Sequence, residues 1–138
     1  MNTLLIDKNG ITLNVLETGH KQFWDDLANN EWEAETFEIF DKFITKGVTY
    51  LDIGAWIGPT LFYAAHLAKE AYGFEPDPIA FSELAANLKL NSKLNNVKIY
   101  QTLIGNINGK VRLGNRHNCG DSQGSILFAD RQTSLEVD

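Results

Sequence analysis

Two carboxylates, Asp52 and Glu75, stand at the ends of two short apolar runs, and both are placed to do chemistry. The run 48–53 is β-branched or aromatic and fenced by Gly47 and Gly54, which predicts a buried strand rather than a helix. Gly54 and Gly58 then bracket a turn, and Pro59 follows where a helix would begin, the position whose N–H has no helical partner. A strand, a glycine turn and a helix start let backbone N–H groups approach a ligand closely. A second strand, 71–74, leads into Glu75, 21 residues beyond Gly54. An acidic residue about 20 residues past such a turn is where these folds hold a ribose, and an ionised carboxylate accepts from both hydroxyls. The pair of signals points to a cofactor containing adenosine.

The glycine spacing narrows the choice. A dinucleotide fingerprint needs G-x-G-x-x-G so that a pyrophosphate can lie against the helix end, but Trp56 stands two positions after Gly54. The pattern Asp52-x-Gly54-x-x-x-Gly58 instead resembles motif I of the class I S-adenosylmethionine (SAM) methyltransferases. A wider ordered set is similar to the FkbM methyltransferase family: Trp32-Glu33 with Thr36-Phe37, LDIGAWIG at 51–58, GFEPDP at 73–78 with Phe81 and Asn87, Asn96-Val97, and Ile104-Gly105 with Gly109. The resemblance runs from about residue 20 to the last residue. It implies an α/β, Rossmann-like class I fold, SAM as cofactor, and methyl transfer to a hydroxyl oxygen on a sugar or natural-product acceptor.

SAM carries a sulfonium, an ammonium, a carboxylate, a ribose diol and an adenine, so its partners must differ in charge. Asp52 can reach the amino-acid end directly or through water; its alternative role is a strand-end carboxylate that binds backbone N–H groups. Gly54 lets the backbone come against the ligand, Ala55 is too small to block it, and Gly58 completes the turn. Glu75 takes the ribose, with Pro76 and Asp77 along the adenine edge. Asp77 before Pro78 is equally a helix N-cap. By the resemblance, Gln101 and Thr102 lie beside the base, and Glu33 or Thr36 beside the methionine end. No residue stands out as a general base for deprotonating the acceptor.

These residues need elements to position them. Residues 3–7 and 11–16 flank Asn9-Gly10, a pair that accepts positive φ at both turn positions, which predicts a β-hairpin with a type I′ turn. Residues 1–19 are taken as this hairpin, a lid or an added sheet edge, and 20–138 as the SAM-binding domain. Helical spacing marks 20–30, through His20, Phe23, Trp24 and Leu27, and 33–45, through Phe37, Phe40, Phe43 and Ile44; the aromatics read as core. Lys46-Gly47 would end the second helix with a cation and a positive-φ residue. A helix over 59–69 is apolar around much of its circumference, as expected of one packed on a parallel sheet. Another follows Asp77-Pro78 and ends among Asn91, Asn95 and Asn96. Residues 97–104 predict a third strand, Asn108-Gly109 a turn, 110–113 a returning strand, 114–124 a loop, and 125–128 a short strand.

Composition sets outer limits. At 138 residues, with 43% hydrophobic and 22% charged residues, one soluble domain is expected. A net charge of −6 and no run of lysine or arginine give no footing for nucleic acid. No apolar run approaches the ~20 residues of a membrane span, and no signal sequence is visible. Cys119 is the only cysteine, which suits a reducing cytoplasm. His117, Cys119 and Asp121 lack the spacing and number of a zinc site, so no metal is expected. His20 and His66 have no sequence neighbour to work with.

Two other functions compete: a non-catalytic SAM- or nucleoside-binding module, and a dinucleotide-dependent oxidoreductase, which Trp56 disfavours. The family's Asp-x-Glu-Gly motif on a fourth strand is not found, so the chain is expected to be truncated at its C-terminus. The first strand would then be an open apolar edge, with self-association as a consequence.

Overall fold

The computed structural model describes residues 2–106, 109–114, 122, 125 and 135–137. Strands β1 (Thr3–Lys8) and β2 (Ile11–Leu16) form the expected antiparallel hairpin, with Lys8 opposite Ile11. Asn9 and Gly10 turn it at φ 51° and 81°, the double positive φ of a type I′ turn. Helices α1 (Lys21–Ala28) and α2 (Ala34–Phe43) follow. The central unit is β3 (Thr49–Ile53), α3 (Pro59–Leu67), β4 (Glu70–Phe74), α4 (Pro78–Leu90) and β5 (Val97–Tyr100). Its strands lie parallel in the order β3-β4-β5, with Asp52 beside Gly73 and Ile53 beside Phe74. A small antiparallel pair, β6 (Val111–Leu113) and β7 (Leu135–Val137), forms a separate sheet.

Helix α3 fills the space over one sheet face. Leu61, Phe62, Tyr63, Ala64 and Ala65 are all buried, so the all-round apolar pattern has the cause expected of it. Close approach depends on Gly73: a Cβ there would lie 2.5 Å from the Leu61 side chain and 3.3 Å from Ala55 Cβ. Trp24, Leu27 and Phe37 extend the core to α1 and α2, while Phe43 is exposed. The opposite sheet face carries Leu51, Ile53, Tyr72, Phe74 and Tyr100; Leu51 and Ile53 are exposed, and Phe74 stacks on Tyr100. Among the described residues β3 has one hydrogen-bonded neighbour, β4.

The hairpin is not an edge of the parallel sheet. It forms its own two-stranded sheet and buttresses the helices through asparagines. Asn87, fully buried on α4, accepts from Leu16 N at 2.8 Å and donates to Ile57 O at 3.0 Å, tying the hairpin to the glycine turn. Asn91 imitates a strand partner, accepting from Asn14 N and donating to Asn14 O. Lys8 is buried against the Phe37 ring and donates to Asn30 Oδ1 at 2.5 Å. Burial lowers its pKa, and the nearby Asp41 charge opposes that shift.

Several boundaries differ from expectation. The third strand stops at Tyr100, because Tyr100 O is the last carbonyl that β4 can engage, through Glu75 N at 3.0 Å; 101–104 is irregular. Helix α2 ends at Phe43 with Ile44 extended, so Gly47 does not cap it in the left-handed region. Gly114 bridges Ser125, whereas Asn108, the His117, Cys119 and Asp121 trio, most of the 114–124 loop and the strand expected beyond Ser125 lie outside the described residues. No helix among the described residues is long and apolar enough to cross a membrane, and no group of described side chains could hold a metal.

Candidate functional site

The site lies at the C-terminal ends of the parallel strands, where the connections leave the sheet. Chain direction reverses after β3 through Gly54 at φ 85°, Trp56 at φ 47° and Gly58 at φ 100°. Gly54 N and Ala55 N both donate to Phe74 O, at 2.9 and 3.0 Å, which clamps the turn onto β4.

Glu75 completes the clamp. Its Oε2 accepts from Trp56 N and its Oε1 from Asp77 N, each at 2.8 Å. Each oxygen keeps a second lone pair, so the carboxylate is oriented and can still accept from a diol. Burial pushes its pKa up, and the two backbone N–H groups pull part of the way back. Asp52 is also buried and raised for the same reason; its Oδ2 accepts from the Thr60 hydroxyl at 2.7 Å. Asp77 performs the capping role, accepting from Ile79 N at 2.8 Å and Ala80 N at 3.3 Å.

Two cavities meet at the turn. One, of about 150 Å³, lies between Glu75, Pro76 and Asp77 on one side and Thr102, Leu103 and Ile104 on the other. The second, of about 450 Å³, is walled by Trp32, Glu33, Ala55, Pro59 and Thr60. Gly54, Trp56 and Ser122 line both, and together they reach the ~300–1,000 Å³ usual for small-molecule sites. A Cβ built on Gly54 meets nothing within 4 Å, so the backbone at the junction is open. The Trp56 indole packs edge-on against Phe23 and His20, at 4.7 and 5.1 Å between centroids.

Of the expected residues, Gly54, Ala55, Glu75, Pro76, Asp77 and Thr102 line these cavities. Gln101 is exposed and lines neither. Asp52 lines neither and stands behind Thr60. Gly58 serves packing: a Cβ there would meet the Phe62 ring at 2.4 Å and Leu84 at 2.8 Å. Glu33 does line the second cavity, held at φ 42° with Thr36 donating to its carboxylate. Thr60 and Leu103 escaped sequence reasoning, and Trp32 and Ile104 entered it only as motif residues with no assigned place in the site. Thr60 carried a usable signal, a hydroxyl in the first helical turn after the glycines, eight residues beyond Asp52.

No family model matches the chain, and no curated protein matches it. Solved structures do. yhhF of Escherichia coli, classed as a methyltransferase, is 19% identical with a TM-score of 0.50, over 74% of this chain and 53% of its own. SMU.1697c of Streptococcus mutans, also classed as a methyltransferase and crystallised with SAH, is 18% identical at a TM-score of 0.47, over 51% and 39%. The tRNA m1G37 methyltransferase of M. jannaschii is 24% identical at 0.47, over 74% and 30%. The chain thus spans about a third to a half of the length of these proteins. The likeness to yhhF, with the parallel strand order and the glycine turn, shows an α/β, Rossmann-like fold shared with that protein.

Proposed function

We propose that this domain binds SAM across the Gly54–Trp56 junction and serves methyl transfer to a hydroxyl oxygen. One observation carries the reading: two cavities of different chemistry join at an open glycine, one backed by an oriented carboxylate and the other by Glu33 and Thr60. Glu75 holds the ribose diol, with adenine between Pro76 and the 102–104 segment. The amino-acid end lies in the larger cavity, where Glu33 faces the ammonium and Asp52 fixes the Thr60 hydroxyl. When bound, SAM supplies an electrophilic methyl for in-line displacement. The chain's own residues orient it, and alignment is a large part of the rate in such reactions.

The FkbM motif set favours a sugar or natural-product hydroxyl as acceptor. Two of its asparagines have structural work: Asn87 joins hairpin and turn, and Asn96 donates to the Ala65 and Ala68 carbonyls. Calorimetric titration with SAM, SAH and NAD(H) tests the cofactor, with SAM and SAH binding and NAD(H) silent as the expected result. SAH release in the presence of hydroxylated glycans or RNA tests the acceptor. SAM binding without SAH release on any acceptor would leave a binding module in place of an enzyme.

A further inference from the structure

The opposite end of the sheet holds a concavity that the cofactor reading does not use. It measures about 540 Å³ and is lined by Lys46, His66, Lys69 and Lys93, with Asn95 and Asn96. Each lysine precedes a different strand of the sheet: Lys46 before β3, Lys69 before β4 and Lys93 before β5. A second, smaller hollow adjoins it through His66, Lys93 and Leu94 and adds Thr12 and Ser92. Lys46 Nζ donates to His66 O at 2.5 Å, which spends one of its three N–H groups at the end of α3. None of the three lysines takes part in an ion pair among the described residues. His66 Nδ1 lies 2.9 Å from Phe62 O; a carbonyl can only accept, so Nδ1 carries a proton. Glu70, next to Lys69, is engaged instead with the Tyr72 hydroxyl at 3.1 Å.

A chain of net charge −6 has thus gathered three of its twelve lysines and arginines around one hollow. Like charges lining one hollow repel, and an anion seated among them would offset that repulsion. We infer that this concavity binds a compact phosphate-bearing anion, either a free polyphosphate group or the phosphates of a nucleic-acid backbone. Three lysines lining one hollow suit several oxygens on one small ligand. Asn95 and Ser92 add neutral donors at the rim. No lining residue is shared between the two ends, so the anion site stands whether or not SAM binds at the other.

The test is calorimetry on the full chain with inorganic pyrophosphate, and separately with a short single-stranded RNA lacking a terminal phosphate, in low salt. Lys69→Gln combined with Lys93→Gln is the variant, since both side chains are exposed at the rim. Its melting temperature, compared with that of the parent, checks that the fold is intact. Saturable pyrophosphate binding, weakened about tenfold or more in the variant, supports a free phosphate ligand. RNA binding lost in the variant, with pyrophosphate silent, supports the backbone source. Binding of neither ligand, or equal affinity in variant and parent, overturns the inference.

Discussion

The two ends of the parallel sheet are built from the same kinds of connection and carry opposite charge. At the C-terminal ends stand Asp52, Glu75 and Asp77, each held by a hydroxyl or by backbone N–H groups. At the N-terminal ends stand Lys46, Lys69 and Lys93, of which, among the described residues, only Lys46 is tethered, by a single carbonyl. Fixed carboxylates select a ligand by geometry. Untethered ammonium groups select by charge and tolerate variety in shape. The contrast fits the proposed assignment of a single cofactor to the acidic end and a less discriminating anion to the basic end.

The largest expected effect comes from removing the hinge of the acidic end. Glu75→Ala strands the N–H groups of Trp56 and Asp77, each at a cost of about 1–3 kcal/mol in stability. It also removes the proposed charge-assisted bonds to the ribose, worth about 1.5–3 kcal/mol apiece in SAM affinity. Urea denaturation and calorimetry should both register the loss. Unchanged SAM affinity in a folded variant would take Glu75 out of the site.

Next come the two glycines of the turn, whose roles separate. Gly58→Ala drives a methyl into Phe62 and Leu84 at φ 100°, so it should lower stability by about 1–3 kcal/mol through overpacking. Gly54→Ala meets no protein atom within 4 Å and suffers only the positive φ, about 1–2 kcal/mol, yet its methyl enters the junction proposed to hold SAM. SAM affinity should fall in the Gly54 variant by more than its stability does. A parallel loss of both in the two variants would mean that the junction is structural throughout.

A third test uses pH. Glu75 titrates above its ordinary value of 4.5 because burial penalises its charge. The sign follows from that direction: the folded protein takes up this proton more readily than the unfolded chain, so Glu75's contribution to stability is present at low pH and lost as pH rises through the folded pKa. Ribose binding needs the ionised form. Lowering pH through the interval above 4.5 should therefore weaken SAM while relieving the cost of Glu75 in the free protein. Comparison with Glu75→Gln isolates both trends; an identical pH profile in the variant would assign them to another group.

The acidic end is largely readable from sequence, and the basic end is not. Asp52, Gly54 and Glu75 fall within two short stretches whose spacing carries the fold, so periodicity and turn chemistry expose them together. Lys46, Lys69 and Lys93 lie more than twenty positions apart, and no run of cations marks them. Only the repeated strand–helix–strand path returns the chain to the same end each time and collects them. Net charge averages over the surface, so it does not reveal three lysines gathered at one hollow. Two differences at the acidic end have a related cause. A left-handed glycine after a strand serves either a ligand or a neighbouring ring, and at Gly58 only Phe62 and Leu84 distinguish the two. The extended expectation for 101–104 fails because β4 engages no carbonyl beyond Tyr100 O, and Thr102, Leu103 and Ile104 wall a cavity instead.

The smallest expected effect is the most demanding check on the contrast, because it asks that nothing happen. A strand of five residues spans roughly 15 Å at ~3.3 Å per residue, and the Debye length at physiological salt is about 8 Å. Charges at one end should then be felt weakly at the other. Lys69→Gln with Lys93→Gln should change SAM affinity by less than about twofold at physiological ionic strength, since exposed charges beyond a Debye length are largely screened. At about 0.01 M salt the Debye length grows to about 30 Å, and removing two cations should then measurably strengthen or weaken SAM according to its own net charge in the site. SAM titrations of parent and variant at both salt levels measure this. A large change at physiological salt would show that the two ends communicate through the packed α3 helix rather than through the field, and would make one coupled unit of the acidic and basic ends.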